Sequence, residues 1–370
     1  MAVPLVDMKA HYAGLKERLD RALLEHVATQ QFILGAAVER LEREVAEFVG
    51  APHAVGCASG TDALLLSLRA LELPAGTEVV VPAFTFFATA GAVWNAGLRP
   101  RFVDVDEATF NVTPDTVRPA LDGAGALIPV HLYGQMAAMA PLLELARARE
   151  VVVIEDAAQS FGARQRHEGE WRPAGSIGDV GCYSFFPAKI LGGYGDGGMI
   201  VCRDDVLAER LRKLRVHGGL RTYHHELVGT NSRLDALQAA ILSVKLPEVP
   251  RWVERRRWIA ARYAELLGDV AQVASPASPE INEHAFNVFT LRVADRDGLK
   301  AHLDATGIGN AVYYPLPLHL QPCFAELGYR AGELPVSERL AGDVISLPVY
   351  PELEDAQVEE VCRAVRGYYG

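Results

Sequence analysis

Between about residues 53 and 202, short β-branched apolar runs alternate with helical stretches, and this alternation leaves the chain few possible folds. HAVGC (53–57), EVVVP (78–82), RPRFVDVD (99–106) and ALIPV (126–130) are each followed by a helix-like segment, from TDALLLSLRAL to PLLELARARE, and VVVIED (151–156) closes the series. Strands covered on both faces read as continuous apolar runs, and helix-length connections let successive strands run parallel. The expectation is a three-layer α/β/α domain around a mostly parallel sheet. DVGCYSFF (179–186) and GGMIVC (197–202) have no helix between them, which predicts a hairpin or a reversed strand there.

Two helices are expected ahead of this region, over about 16–29 and over 36–49, the second ending on Gly50. After residue 202 come a helix, an irregular loop and a long helical stretch from about 232 to 267, interrupted by Pro247 and Pro250. Beyond about 275 the order is strand (FNVFTLRVA), helix (DGLKAHLDATG), strand (GNAVYY) and a proline-rich loop (PLPLHLQP). With 370 residues the chain is long enough for two domains. We expect a large domain over 1–245 and a smaller C-terminal α/β domain over 246–370.

Charge and cysteine usage narrow the function. With 36 basic against 47 acidic residues, the net charge of −11 argues against nucleic acid or an anionic membrane as partner. The five cysteines are widely spaced with no CxxC, which fits neither a disulfide framework nor a zinc site and suits a reducing compartment. No signal peptide or membrane span is apparent, so a cytoplasmic protein is expected. His224 and His225 lack carboxylate partners at helical spacing, so no metal is expected.

Three segments carry chemistry. In ASGTDALLLSL a strand gives way to a helix at Ser59-Gly60-Thr61, where free amides, the helix dipole and hydroxyls make an anion site; a plain helix cap explains the same residues. In VVVIEDAAQS, Asp156 falls at the C-terminal end of a buried strand, where it either holds a cation or caps a helix. In CYSFFPAKILGGYGDGGMI, Lys189 sits among apolar residues, which lowers an amine's proton affinity and suits imine chemistry; a solvated loop lysine is the alternative. Together they supply what pyridoxal 5′-phosphate requires: a phosphate cradle, a carboxylate for the ring nitrogen and an amine for its aldehyde carbon.

The chain resembles the DegT/DnrJ/EryC1/StrS family of pyridoxal-phosphate-dependent sugar aminotransferases, which have the aspartate aminotransferase fold. The resemblance runs through QFILGAAVERLEREVAEFVG, SGTDALLLSL, VPAFTFFATAGAV, PVHLYGQMA, VIEDAAQSFGA, GDVGCYSFFPAK, GTNSRLDALQAAIL and YYPLPLHLQPCF. It implies Lys189 as the Schiff-base lysine, Asp156 at the pyridine nitrogen and Gln159 at the ring hydroxyl. It further implies Gly60, Thr61 and Ser184 at the phosphate and Phe86 stacked on the ring. Asn231 of GTNSRLD would reach the phosphate of the neighbouring subunit, giving a homodimer with shared active sites. Tyr223, His224, Tyr313, His319 and Arg221 fall where relatives approach the sugar nucleotide. Ile190 departs from the asparagine, and Ala36 from the proline, that many relatives have there.

The resemblance implies amino transfer, with glutamate as donor, to a nucleotide-linked keto-sugar in amino-sugar or cell-surface polysaccharide biosynthesis. C3 of a UDP- or dTDP-linked sugar is the favoured acceptor. Two rivals stand beside it. A dehydratase-type relative would be expected to have histidine in place of Lys189. A non-catalytic regulatory protein on the same fold would be expected to have lost part of the cofactor set.

Overall fold

A computed structural model describes residues 2–370. Its centre is a seven-stranded sheet in the order β1-β9-β8-β5-β4-β2-β3. In chain order these are β1 (His53–Cys57), β2 (Glu78–Pro82), β3 (Arg99–Val103), β4 (Ala126–Leu127), β5 (Val152–Asp156), β8 (Val180–Ser184) and β9 (Gly198–Cys202). A small sheet joins β6 (Arg164–His167), β7 (Glu170–Pro173) and β11 (Asn282–Glu283). A third sheet has β10 (Val273–Ala274), β12 (Phe289–Val293) and β13 (Val344–Leu347). Only β9 runs against the others in the central sheet, pairing antiparallel with both β8 and β1. The reversal expected from the missing helix is this strand.

The helices are α1 (Met8–Thr29), α2 (Ala36–Val49), α3 (Gly60–Ala70), α4 (Ala88–Asn95), α5 (Pro114–Val117), α6 (Met139–Arg147), α7 (Asp205–Leu214), α8 (Ala236–Lys245), α9 (Val249–Leu267), α10 (Arg296–Ala305), α11 (Pro335–Asp343) and α12 (Asp355–Tyr369). The alternation along β2 shows why helices cover both faces of the sheet. Val79 and Val81 enter one apolar cluster with α3 and α4, while Val80 enters another with α2, α6 and α8. A third cluster holds α9, α10, α12, β12 and β13 together, and Val3 belongs to it through a bridge to Ile308. The N-terminal segment thus packs with the C-terminal third of the chain.

Three local expectations needed revision. α1 begins at Met8, because the Asp7 side chain accepts the Lys9 and Ala10 amides and caps it. The proline-interrupted stretch splits into α8, a 3₁₀ turn over Leu246–Glu248 and α9, with Pro250 in the first turn of α9, where a missing N–H costs nothing. GNAVYY is not a ladder strand; only Ala311 bridges, to Ser346. Among the described residues all five cysteines are unpaired, and no helix is long and apolar enough to cross a membrane.

Candidate active site

The C-terminal ends of β5 and β8 and the N-terminus of α3 converge at one edge of the sheet, the position where open α/β sheets take ligands. Asp156 is the last residue of β5 and is buried. Its Oδ2 accepts from Thr89 Oγ1 at 2.8 Å and its Oδ1 from the Ala158 amide at 3.2 Å. Burial pushes the Asp156 carboxyl up, while these two donors and the Lys189 charge pull the other way.

Lys189 follows β8 in a tight loop. The turn is close enough that a Cβ on Gly192 would fall 2.3 Å from the Pro187 carbonyl oxygen, so only glycine fits there. Burial lowers the Lys189 ammonium to about 8, with the Asp156 charge opposing the shift. The loop is held from below by Lys245, whose buried Nζ donates to Gly192 O at 2.7 Å and lies 4.4 Å from the Tyr194 ring centroid.

At Ser59-Gly60-Thr61 the strand-to-helix turn forms as the sequence suggests. Ser59 caps α3 by accepting the Asp62 amide at 3.1 Å, which leaves the first-turn amides of Gly60 and Thr61 open. Gly60 backs directly onto β8: a Cβ there would lie 2.6 Å from Ser184 Cβ. Gly60, Thr61 and Ser184 therefore form one surface.

Gln159 is fixed at both ends. Its Oε1 accepts the Tyr133 amide at 2.7 Å, and its Nε2 donates to the Tyr314 hydroxyl at 2.9 Å. Tyr133 has φ +59°, a left-handed conformation that carries strain in a non-glycine residue, and its own hydroxyl donates to Tyr313 O. The Phe86 ring, 55% exposed, lies 6.0 Å from that of Tyr314. Behind Asp156, Glu155 is fully buried and accepts from His131 Nε2 at 2.7 Å and from the amides of Gly175, Ile177 and Gly178. Burial alone would raise the Glu155 carboxyl; the His131 hydrogen bond leads the effects that outweigh it and hold it low.

The side chains of the other candidates make no hydrogen bond to Asp156, Lys189 or the Gly60–Ser184 surface among the described residues. Arg221 and His224 line a surface cavity of about 390 Å³ with Glu209, Lys213, Leu220 and Glu226, none of them cofactor candidates. Tyr223, 94% exposed, projects from the same loop. Asn231 is exposed, and its backbone bridges Val216. Its neighbour Ser232 is buried and donates to Asp62 Oδ2 at 2.6 Å, pinning the segment beside α3. His319 is buried, with Nε2 3.1 Å from Glu338 Oε1. Tyr313, half-buried, is joined to the site through Tyr133. Among the described residues no cluster of metal-ligating side chains occurs.

A sheet with helices on both faces, and with a desolvated lysine and a buried carboxylate at one edge, is an α/β enzyme site suited to amine chemistry. The particular family follows from comparison: the DegT/DnrJ/EryC1/StrS aminotransferase family matches residues 14–366, and the chain belongs to it. It is 47% identical to a Geobacillus stearothermophilus protein named "Pleiotropic regulatory protein", covering 100% of this chain and 99% of that one. It is 45% identical to the UDP-N-acetyl-3-dehydro-alpha-D-glucosamine 3-aminotransferase of Acidithiobacillus ferrooxidans, over 99% and 97% of the two chains. Among solved structures, S. venezuelae DesV in complex with a ketimine intermediate superposes with a TM-score of 0.96 at 41% identity, covering 100% of this chain and 98% of that one.

Proposed function

We propose that this protein is a pyridoxal-phosphate-dependent aminotransferase that moves an amino group from glutamate to the C3 ketone of a UDP- or dTDP-linked sugar. The observation that carries this reading is the convergence of the Lys189 loop, the buried carboxylate of Asp156 and the Gly60–Ser184 surface at one edge of the sheet. The donor set fits the cofactor: open amides and hydroxyls for a phosphate, a carboxylate for a ring nitrogen and a desolvated amine for an aldehyde. Pyridoxal phosphate, when bound, supplies the carbonyl carbon for amine exchange and an electron sink.

In this reading Lys189 holds the cofactor and moves the proton at Cα of the donor, and Asp156 keeps a positive charge at the ring nitrogen. Gly60, Thr61 and Ser184 bind the phosphate, Gln159 orients the ring hydroxyl and Phe86 covers the ring face. A 3-keto acceptor is supported by the Acidithiobacillus relative, whose name specifies that position. Tyr223, His224, Arg221, Tyr313 and His319 are proposed to meet the sugar nucleotide.

Protein reconstituted with pyridoxal phosphate should give a visible band that fades with glutamate and returns with a UDP- or dTDP-linked 3-keto sugar. A band indifferent to glutamate and to these acceptors overturns the proposal. That outcome would favour the regulatory reading, which the name of the Geobacillus relative suggests.

A homodimer with Asn231 supplied across the interface is part of the proposal. Its support is local: Asn231 is exposed, and among the described residues its side chain has no hydrogen-bond partner in its own chain. Asn231→Asp should weaken cofactor binding by placing a carboxylate against a phosphate. Mixing Lys189→Ala and Asn231→Asp subunits should then give more activity than the two parents together, since each hybrid carries one undamaged site. If hybrids form and show no gain, Asn231 acts within its own chain.

A further inference from the structure

The backbone of Asp156 is fixed independently of its side chain. Its amide donates to Pro129 O at 3.0 Å, and its carbonyl accepts the His131 amide at 3.0 Å. The direction of the carboxylate is therefore left to the donors that reach its two oxygens. Two do: the Ala158 amide at 3.2 Å and the Thr89 hydroxyl at 2.8 Å.

Thr89 lies in the first turn of α4 and is fully buried. Phe87 stands at the N-cap of α4, and no side chain caps the helix. The Thr89 hydroxyl instead spans to β5. It has one proton, and Asp156, an acceptor when ionised, takes it. The contact with Thr85 Oγ1 at 3.2 Å must then run from Thr85 to Thr89. Thr85, Thr89 and Asp156 form a buried hydrogen-bond chain running one way, from the two hydroxyls to the carboxylate, an arrangement in which each bond strengthens the next.

We infer that Thr89 is a positioning residue for Asp156: its hydroxyl aims the carboxylate at the pyridine nitrogen of the cofactor, with Thr85 as its support. The inference rests on the aminotransferase reading above. No other side chain does this work. Lys189 and His131 act on Asp156, and Cys182 and Tyr314 feel its charge, but none of these, nor the adjacent Glu155, is joined to its carboxylate by a hydrogen bond among the described residues. The carboxyl is already pushed up by burial, and the Thr89 bond is the largest influence opposing that rise.

Thr89→Val keeps the shape and removes the donor. Asp156 then competes for the proton at the ring nitrogen, and the ring loses positive charge. Any other protonated group on the same ring system becomes harder to deprotonate, because a like charge nearby has weakened.

The test uses the intact protein loaded with pyridoxal phosphate. Its readouts are the pH midpoint of the visible band and the single-turnover rate with glutamate. Thr89→Val should move the midpoint to higher pH and slow the half-reaction by about 10- to 100-fold, the scale of one hydrogen bond to a charged group. Thr89→Ser should restore both to near wild type, and Thr85→Val should shift both in the same direction by less.

An unchanged midpoint in Thr89→Val overturns the inference, as does a serine variant as impaired as the valine one, since a role in packing alone would give the latter. If the valine variant does not fold, Thr89→Ala against Thr89→Ser makes the same comparison. Failure of the wild-type protein to bind pyridoxal phosphate would instead overturn the aminotransferase reading, so the two failures are distinct.

Discussion

Lys189→Ala is expected to abolish amino transfer, by on the order of 10⁴-fold or more, while leaving the fold intact. In the proposed mechanism alanine removes both the amine that holds the cofactor and the base that moves the proton, two contributions that act as a unit. The fold should survive because the side chain costs stability where it stands. Burial lowers its ammonium from 10.5 to about 8, so near neutral pH the folded state holds a charge it disfavours. That cost is present in full below about pH 8 and fades as pH rises toward the unfolded value. The unloaded variant should therefore melt no lower than the unloaded wild type at pH 7, and the wild type should gain relative to it between about pH 8 and 10.5. Residual turnover near wild type would remove Lys189 from the mechanism. A variant that is inactive but melts far lower would mean the loss is structural.

Asp156→Asn is the second large effect. The amide is close in shape: its one oxygen can keep the Ala158 amide, while its NH2 faces Thr89, whose hydroxyl must turn to accept. Asparagine has no charge to stabilise a protonated ring nitrogen, so the ring becomes a weak electron sink. A loss of about 10²–10³-fold in the glutamate half-reaction is expected, comparable to removing one electrostatic contact to developing charge. Cofactor affinity should change far less, since the proposed phosphate contacts are at α3 and Ser184. The single-turnover rate and the dissociation constant, measured together, check this. An unchanged rate would reduce Asp156 to a structural role.

The parts of the site that sequence made legible are those built from one contiguous segment. Ser59-Gly60-Thr61 announces a helix N-terminus by its own residue types, and Asp156 ends its own apolar run. Lys189 stands out by its apolar neighbours and the glycines after it. Thr89 was not legible, because its partner is 67 residues away and nothing in FFATAG marks a hydroxyl aimed at another strand. Lys245 reads as an ordinary basic residue at the end of a helix, where it would complement the dipole; its burial against Gly192 depends on how α8 packs. The Tyr133–Gln159–Tyr314 linkage joins three motifs that could each be quoted but not connected. The surface candidates show the opposite limit. Arg221, Tyr223 and His224 share one loop as expected, yet in a single chain that loop faces its own cavity. GNAVYY has the composition of a strand but is held by a single bridge, from Ala311 to Ser346.

The reversed strand β9 also has a kinetic consequence. β1 emerges early from the ribosome, but its only neighbour in the sheet is β9, formed by residues 198–202. Until that segment has been synthesised, β1 is an unpaired apolar edge, and so is the open side of β8. Such edges recruit other chains. A nascent chain paused between β8 and β9 should therefore be far more prone to aggregate, or to need a chaperone, than one paused just after β9, where a single antiparallel strand closes both edges at once.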